Sequence, residues 1–270
     1  MIFSRNKKHI VIIGGITGTI GSAFFEQYIF DRKTVIFGIS RKGIQPPEQL
    51  PEYSSVFSVR YENQEEMESF FKKVISMNPS VVTYIHCMGP FKTELDPITK
   101  GRRIHVDNDN DGIDDEIYKN IFLFSKGVAE TLIGERGDKK IHLNFVNFGS
   151  LVEDHTISIF ESWVQVRKMV IEAFKKFALL KDISSIDILV SSVLSITELI
   201  QRPYVLGTDN NPLFWIKPEE VATRGKKIIK KGRQGFTQYK LFHRAPNFSK
   251  ERFDEEKMIK RRLFEHFGLS

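Results

Sequence analysis

Gly15, Gly18 and Gly21 recur at three-residue intervals in GGITGTIGSAF, directly behind the apolar run HIVIIGG. Glycines so spaced let a chain turn sharply and bring backbone N–H groups up to a pyrophosphate. The helix that follows then turns its positive end toward the same charge. A tight turn with no ligand uses the same residues, so the context decides: an apolar strand before, a helix after, and a strand-helix-strand unit of the right length. The second strand, TVIFGIS, ends at Ser40, and Arg41 and Lys42 follow. An acidic residue there would hold the adenine ribose hydroxyls of NAD, whereas positive charge suits the extra 2′-phosphate of NADP. A basic turn facing solvent is the alternative, and NADP is favoured over NAD.

A different chemistry is written in HVDNDNDGIDDEIY, where Asp107, Asp109 and Asp111 alternate ahead of Gly112. Alternation aims carboxylates at one cation, and the glycine allows the sharp bend of a calcium loop. A complete loop of that kind would carry a bidentate glutamate at its last position, where Tyr118 stands. Asp115 or Glu116 closing a shorter loop is the calcium or magnesium reading. An acidic turn ahead of a helix N-terminus, which favours aspartate in any case, is the other.

Both stretches need elements to position them. Short β-branched runs alternate with longer helical patterns, which predicts a Rossmann-type doubly wound parallel sheet covered by helices on both faces. The strands expected are 9–15, 34–40, 55–61, 81–89, 141–150 and 185–196, with a final one over 239–244. Helices are expected over 19–30, 65–77, 115–135 and from about 160 to 180, and another opens at Pro218 with Glu219 and Glu220 in its first turn. No repeat, low-complexity tract or linker interrupts the 270 residues, so one domain is expected across 1–270.

Composition narrows the function classes. Hydrophobic residues make up 41% and charged residues 27%, an ordinary globular balance that excludes long disorder. The apolar start ends in glycines rather than a cleavage site, and no apolar run is long enough to span a bilayer, so no membrane role is expected. The single cysteine, Cys87, cannot form an internal disulfide, which suits a cytoplasmic setting. A net charge of +6 invites nucleic acid, but the densest basic runs, RGKKIIKKGR and KMIKRRLFEHF, carry apolar residues at helical spacing and read first as solvated helix faces. Nucleic acid is therefore not the expected partner.

From His9 to Ala222 the chain resembles the short-chain dehydrogenases/reductases. The landmarks are the glycine loop; HCMG at Cys87, Met88 and Gly89, where the family usually has Asn-Asn-Ala-Gly; Asn120 on its helix; Ser150 at the end of FVNFGS; and KPEEVA at a late helix start. The resemblance implies a parallel sheet of about seven strands, assembly as a homodimer or homotetramer, and hydride transfer between a nicotinamide and a carbonyl or alcohol. It implies a cofactor site formed by Gly15, Thr17, Gly18, Thr19, Ile20, Gly21, Ser40, Arg41, Lys42, Cys87, Met88 and Gly89, with Ser150 and Asn120 as catalytic groups. It also implies a substrate lid over about 194–216 and a C-terminal extension over about 235–270.

The family's Tyr-x-x-x-Lys is missing. Its spacing from Ser150 lands on Trp163, with Arg167 four residues on; a shift of one gives Val164 and Lys168. The first register also puts Phe177 and Ala178 where the family has Leu-Ala. An indole does not ionise near neutral pH, and a guanidinium keeps its proton, so Trp163 and Arg167 cannot repeat the phenol–lysine proton relay. Arg167 retains the means to bond ribose hydroxyls. His155 in EDHTIS and Tyr204 in QRPYVLG are the candidates to reach a carbonyl oxygen instead, though each also suits an exposed loop. The family's Pro-Gly after strand six is replaced by Val193 and Leu194. The sequence thus predicts either an atypical oxidoreductase or a catalytically silent NADP-binding subunit that regulates or pairs with a partner.

Overall fold

A computed structural model describes residues 9–40, 54–58, 64–87, 120–154, 161–191, 193–194 and 215–242. The strands are β1 (His9–Gly14), β2 (Thr34–Ser40), β3 (Ser54–Ser58), β4 (Val81–His86), β5 (His142–Ser150), β6 (Ile183–Val190) and β7 (Gly235–Leu241). The helices are α1 (Thr19–Ile29), α2 (Gln64–Ser76), α3 (Asn120–Arg136), α4 (Glu161–Phe177) and α5 (Pro218–Lys230), and a 3-10 turn spans Leu151–Asp154.

Among the described residues all strands run parallel in one seven-stranded sheet of order β3-β2-β1-β4-β5-β6-β7. Central strands of such a sheet lie between two helical layers, and their sequences show it: beyond His9 in β1 and Asp187 in β6 these two strands are apolar or small, and nearly every residue in them is buried. Strand β7 lies at the edge, and of its residues only Leu241 is buried.

Side chains alternate between the two faces. Ile10, Ile12, Val35, Phe37, Tyr84, Leu143 and Phe145 face α2, α3 and α4, which contribute Phe71, Val128, Val166 and Phe174. Val11, Ile13, Ile36, Ile85, Val146 and Ile188 face α1 and α5, which contribute Phe24, Val221 and Ile229. Helix α5 begins with Pro218 at its first turn, with Glu219 and Glu220 beside it, as the sequence predicts.

Strands β6 and β7 differ most from expectation. Strand β6 starts at Ile183 and ends at Val190, because the register with β5 carries Leu143 opposite Ile183 and Ser150 opposite Val190, where β5 ends. Strand β7 begins at Gly235, four residues early, since that glycine (φ +97°) turns the chain to lie beside Ser184. Among the described residues no helix is long and apolar enough to cross a membrane.

Candidate functional site

The order of the strands creates a reversal beside β1: β2 and β3 lie on one side of it, and β4 to β7 on the other. Crossover connections therefore leave in opposite directions at the carboxyl ends of β1 and β4, which opens a crevice where ligands of such sheets bind. The glycine turn sits in that crevice. Gly15 takes a left-handed conformation (φ +77°), its N–H donates to the Ile39 carbonyl at 3.0 Å, and its own carbonyl accepts from the Gly18 N–H at 2.8 Å. Across the crevice the Cys87 N–H donates to the Gly14 carbonyl at 2.9 Å, which ties the ends of β1 and β4 together.

Gly18 caps α1 in an extended conformation without a side-chain hydrogen bond, and no acidic residue occupies the first turn. The positive end of α1 is thus left available to an anion. Gly21 lies so close to the turn that a Cβ on it would collide with the Gly15 backbone. Gly21→Ala is accordingly expected to cost about 1–3 kcal/mol through overpacking, read as a lower urea midpoint at unchanged slope.

On the α3–α4 face of the same edge lies a buried polar cluster. Arg167 of α4 reaches down between β5 and β6, its side chain 5% exposed. Its Nε donates to Glu153 Oε1 at 2.8 Å and its Nη2 to Asp187 Oδ1 at 2.5 Å. Gln238 Nε2 donates to the other Asp187 oxygen at 2.9 Å, and the Ser150 N–H donates to Glu153 Oε1 at 2.7 Å. Gly149 lies directly beneath, and a side chain there would strike both Glu153 and Arg167. Burial works against the Arg167 charge, but Asp187 and Glu153 outweigh it and raise its pKa. Burial likewise raises the Glu153 carboxyl above the usual range, against the pull of Arg167 and the Ser150 N–H, with Asp187 adding to the rise.

Beside this cluster the Tyr84 hydroxyl and His86 Nδ1 share a hydrogen bond of 2.9 Å within the sheet layer. Burial, followed by the Arg167 charge, pushes His86 down to about 3, so its imidazole is neutral at physiological pH. Ser125 of α3 donates to Asn147 of β5 at 3.3 Å on the same face.

The residues singled out from the sequence fall in several places. Gly15, Thr17, Gly18, Thr19, Ile20 and Gly21 form the turn and the first turn of α1, and Ser40 ends β2 next to it. Ser150 ends β5, and Asn120 opens α3. Cys87 is half-buried, and burial raises its thiol far above the ordinary value, which makes it a poor nucleophile.

Trp163 lies in the apolar stripe of α4 with Val166, Val170 and Phe174, only 9% exposed, while Val164 is partly buried and Lys168 faces solvent. The Nε and Nη2 donors of Arg167, which the sequence offered to ribose hydroxyls, are spent on Glu153 and Asp187. Arg41, Lys42, Met88, Gly89, Asp107, Asp109, Asp111, Asp115, His155 and Tyr204 lie outside the described residues.

Sequence reasoning passed over Glu153 and Asp187. Asp187 carries a legible signal, a lone acid inside the apolar run IDILV, because a charge in a buried strand must find a partner. Glu153 carries none beyond its place three residues after Ser150.

No protein-family model matches the chain, and no curated protein matches it significantly. Solved structures do. Serine dehydrogenase from Escherichia coli superimposes with a TM-score of 0.62 at 10% identity, over 89% of this chain and 100% of that one. The closed form of serine dehydrogenase complexed with NADP+ gives 0.68 at 10% identity, over 89% and 97%. A short-chain dehydrogenase from Leptospira borgpetersenii with bound NAD+ gives 0.61 at 15% identity, over 90% and 95%. At these identities the likeness establishes the fold: the chain folds as the short-chain dehydrogenases/reductases do.

Proposed function

We propose that this chain binds a nicotinamide dinucleotide across the carboxyl edge of its sheet, NADP(H) in preference to NAD(H), and acts as an atypical oxidoreductase on a carbonyl or alcohol. The observation that carries this reading is the Gly15–Gly21 turn, which joins a left-handed glycine, an uncapped helix start and the reversal beside β1 at one point. A pyrophosphate there would meet backbone N–H groups and the helix end. Solved structures of the same fold hold NADP+ and NAD+, which supports a nicotinamide nucleotide as the ligand class.

The preference for NADP(H) rests on Arg41 and Lys42 following β2, where the adenine ribose would lie. Calorimetric titration tests it. Since a hydrogen bond to a charged group is worth roughly 1.5–3 kcal/mol, the variant R41A/K42A is expected to weaken NADPH binding about tenfold or more while sparing NADH. Equal losses for both nucleotides would contradict the preference.

A second reading draws on Trp163 and Arg167. With the indole packed in the core and the guanidinium held by two carboxylates, the positions that would relay a proton are given over to structure. On that reading the chain is a silent NADP-binding subunit, and it predicts nucleotide binding with no carbonyl reduced.

A further inference from the structure

Because the strands run parallel, the turns that follow the helices gather at the amino edge of the sheet, opposite the glycine turn. These turns share a character. The turn into β2 presents Phe30, Arg32 and Lys33, and the turn into β6 presents Leu179, Leu180 and Lys181, all exposed. Lys139 and Lys140 stand on the turn into β5, and Lys230, Lys231 and Arg233 lie between α5 and β7, again exposed.

Among the described residues four large hydrophobic side chains are exposed, and three of them lie here: Phe30 at 87%, Leu179 at 86% and Leu180 at 43%. Singly such residues need no explanation, but three on one edge mark a contact surface. Their turns are fixed. The Leu179 and Leu180 N–H groups donate to the Lys176 and Phe177 carbonyls at 3.2 and 3.0 Å. Beside Phe30, the Asp31 N–H donates to the Tyr28 carbonyl at 2.9 Å. A partner therefore meets apolar side chains on ordered backbone, with little ordering cost.

Eight exposed cations stand on the same turns, against one exposed acid, Asp138. None of the eight is held in an ion pair among the described residues. Lys230 and Lys231, at the end of α5, also oppose its dipole. The other six lie beyond their helices. Half-buried Asp31 is already engaged, accepting from the Lys33 N–H and the Thr34 hydroxyl at 3.1 Å each.

We propose that this edge docks on the surface of an anionic phospholipid bilayer, without crossing it. The lysines and arginines meet the headgroups, while Phe30, Leu179 and Leu180 enter the boundary between headgroups and acyl chains. Each half needs the other, since one weak signal gives only marginal, reversible attachment. The footprint is broad: β2 and β6 are four strand spacings apart, roughly 20 Å, which suits a flat partner rather than a small ligand. Lipid is favoured over nucleic acid because paired leucines offer bases no stacking platform, whereas hydrocarbon accepts them. Docked in this way, the crevice at the carboxyl edge faces away from the bilayer, about one strand length into the water.

Flotation of the full chain tests this, using vesicles of phosphatidylcholine alone or with about a third replaced by phosphatidylserine. Wild type should rise with the anionic vesicles and not with the neutral ones. That association should fall at least tenfold between about 0.1 M and about 1 M salt, as the screening length shortens. F30S/L179S/L180S and K139E/K140E/K181E should each bind the anionic vesicles about tenfold more weakly or worse, with urea midpoints close to that of wild type.

No association with either vesicle, or equal association with both, overturns the proposal whatever the variants do. Folded variants that bind as wild type does overturn it too, since the contact then lies elsewhere. Wild type that ignores the vesicles yet binds duplex DNA of mixed sequence makes the edge a nucleic-acid surface and overturns the lipid assignment.

Discussion

Arg167→Met is expected to destabilise the chain by about 3–5 kcal/mol, as breaking a buried ion pair from one side does. The side chain is sealed beneath α4, and its two donors hold Glu153 and Asp187 against β5 and β6. Methionine fills much of the volume but leaves acidic groups buried without a counter-charge.

The sign of the pH dependence follows. In the variant Glu153 loses the counter-charge that opposes its burial, so its native pKa lies further above the unfolded value, the native state binds more protons, and stability is lost as pH rises through that pKa. The deficit relative to wild type should therefore be largest near neutrality and shrink as pH falls toward the ordinary carboxylate range. The triple variant R167M/E153L/D187N should recover most of the loss, because it removes the charges together. Urea unfolding at a series of pH values reads all of this; an R167M midpoint equal to that of wild type at pH 7 would show that the cluster is not holding the helix to the sheet.

His86 is expected to give the chain an acid sensitivity of its own. Burial and the Arg167 charge hold its native pKa near 3, from an ordinary value of 6.5. Between those values the unfolded chain binds more protons than the native one, so stability is full above the unfolded pKa and is lost as pH falls toward 3. At about 1.36 kcal/mol per pKa unit, the whole window is worth roughly 4–5 kcal/mol.

His86→Gln removes the titration but keeps a polar group in reach of the Tyr84 hydroxyl. The variant should be less stable than wild type at pH 7 and should lose less as pH falls, so that the two curves converge. Contributions from Glu153 are common to both chains and cancel in the difference. Parallel curves from pH 7 to pH 4 would place the imidazole in contact with water.

Much of the architecture is legible because its causes are local. The apolar run HIVIIGG with no polar break reads as a strand covered on both faces, and it is one; Pro218 followed by two glutamates reads as a helix start, and α5 opens there. The glycine turn is legible for the same reason, since a left-handed Gly15 and a crowded Gly21 are requirements of backbone geometry.

What sequence spacing cannot carry is the partner of a side chain. Counting from Ser150 singles out Arg167 on α4 without saying what it touches. Its direction is set by Asp187 on β6, twenty residues on, and by Glu153, fourteen residues back. Those contacts exist only once α4 lies across β5 and β6. Trp163 shows the same limit: its spacing marks it as a replaced tyrosine, while its environment is decided by Val166, Val170 and Phe174 on the same stripe.

The central claim is that backbone N–H groups at the end of β1 receive the pyrophosphate of a nicotinamide dinucleotide. The most direct test follows the backbone amide resonances of 15N-labelled protein during titration with NADPH. The amides of Gly15 to Gly21, together with that of Cys87, are expected to shift first and furthest, saturating with one nucleotide per chain. Unmoved resonances for that turn at saturating NADPH, or shifts confined to another surface of the folded protein, would contradict it.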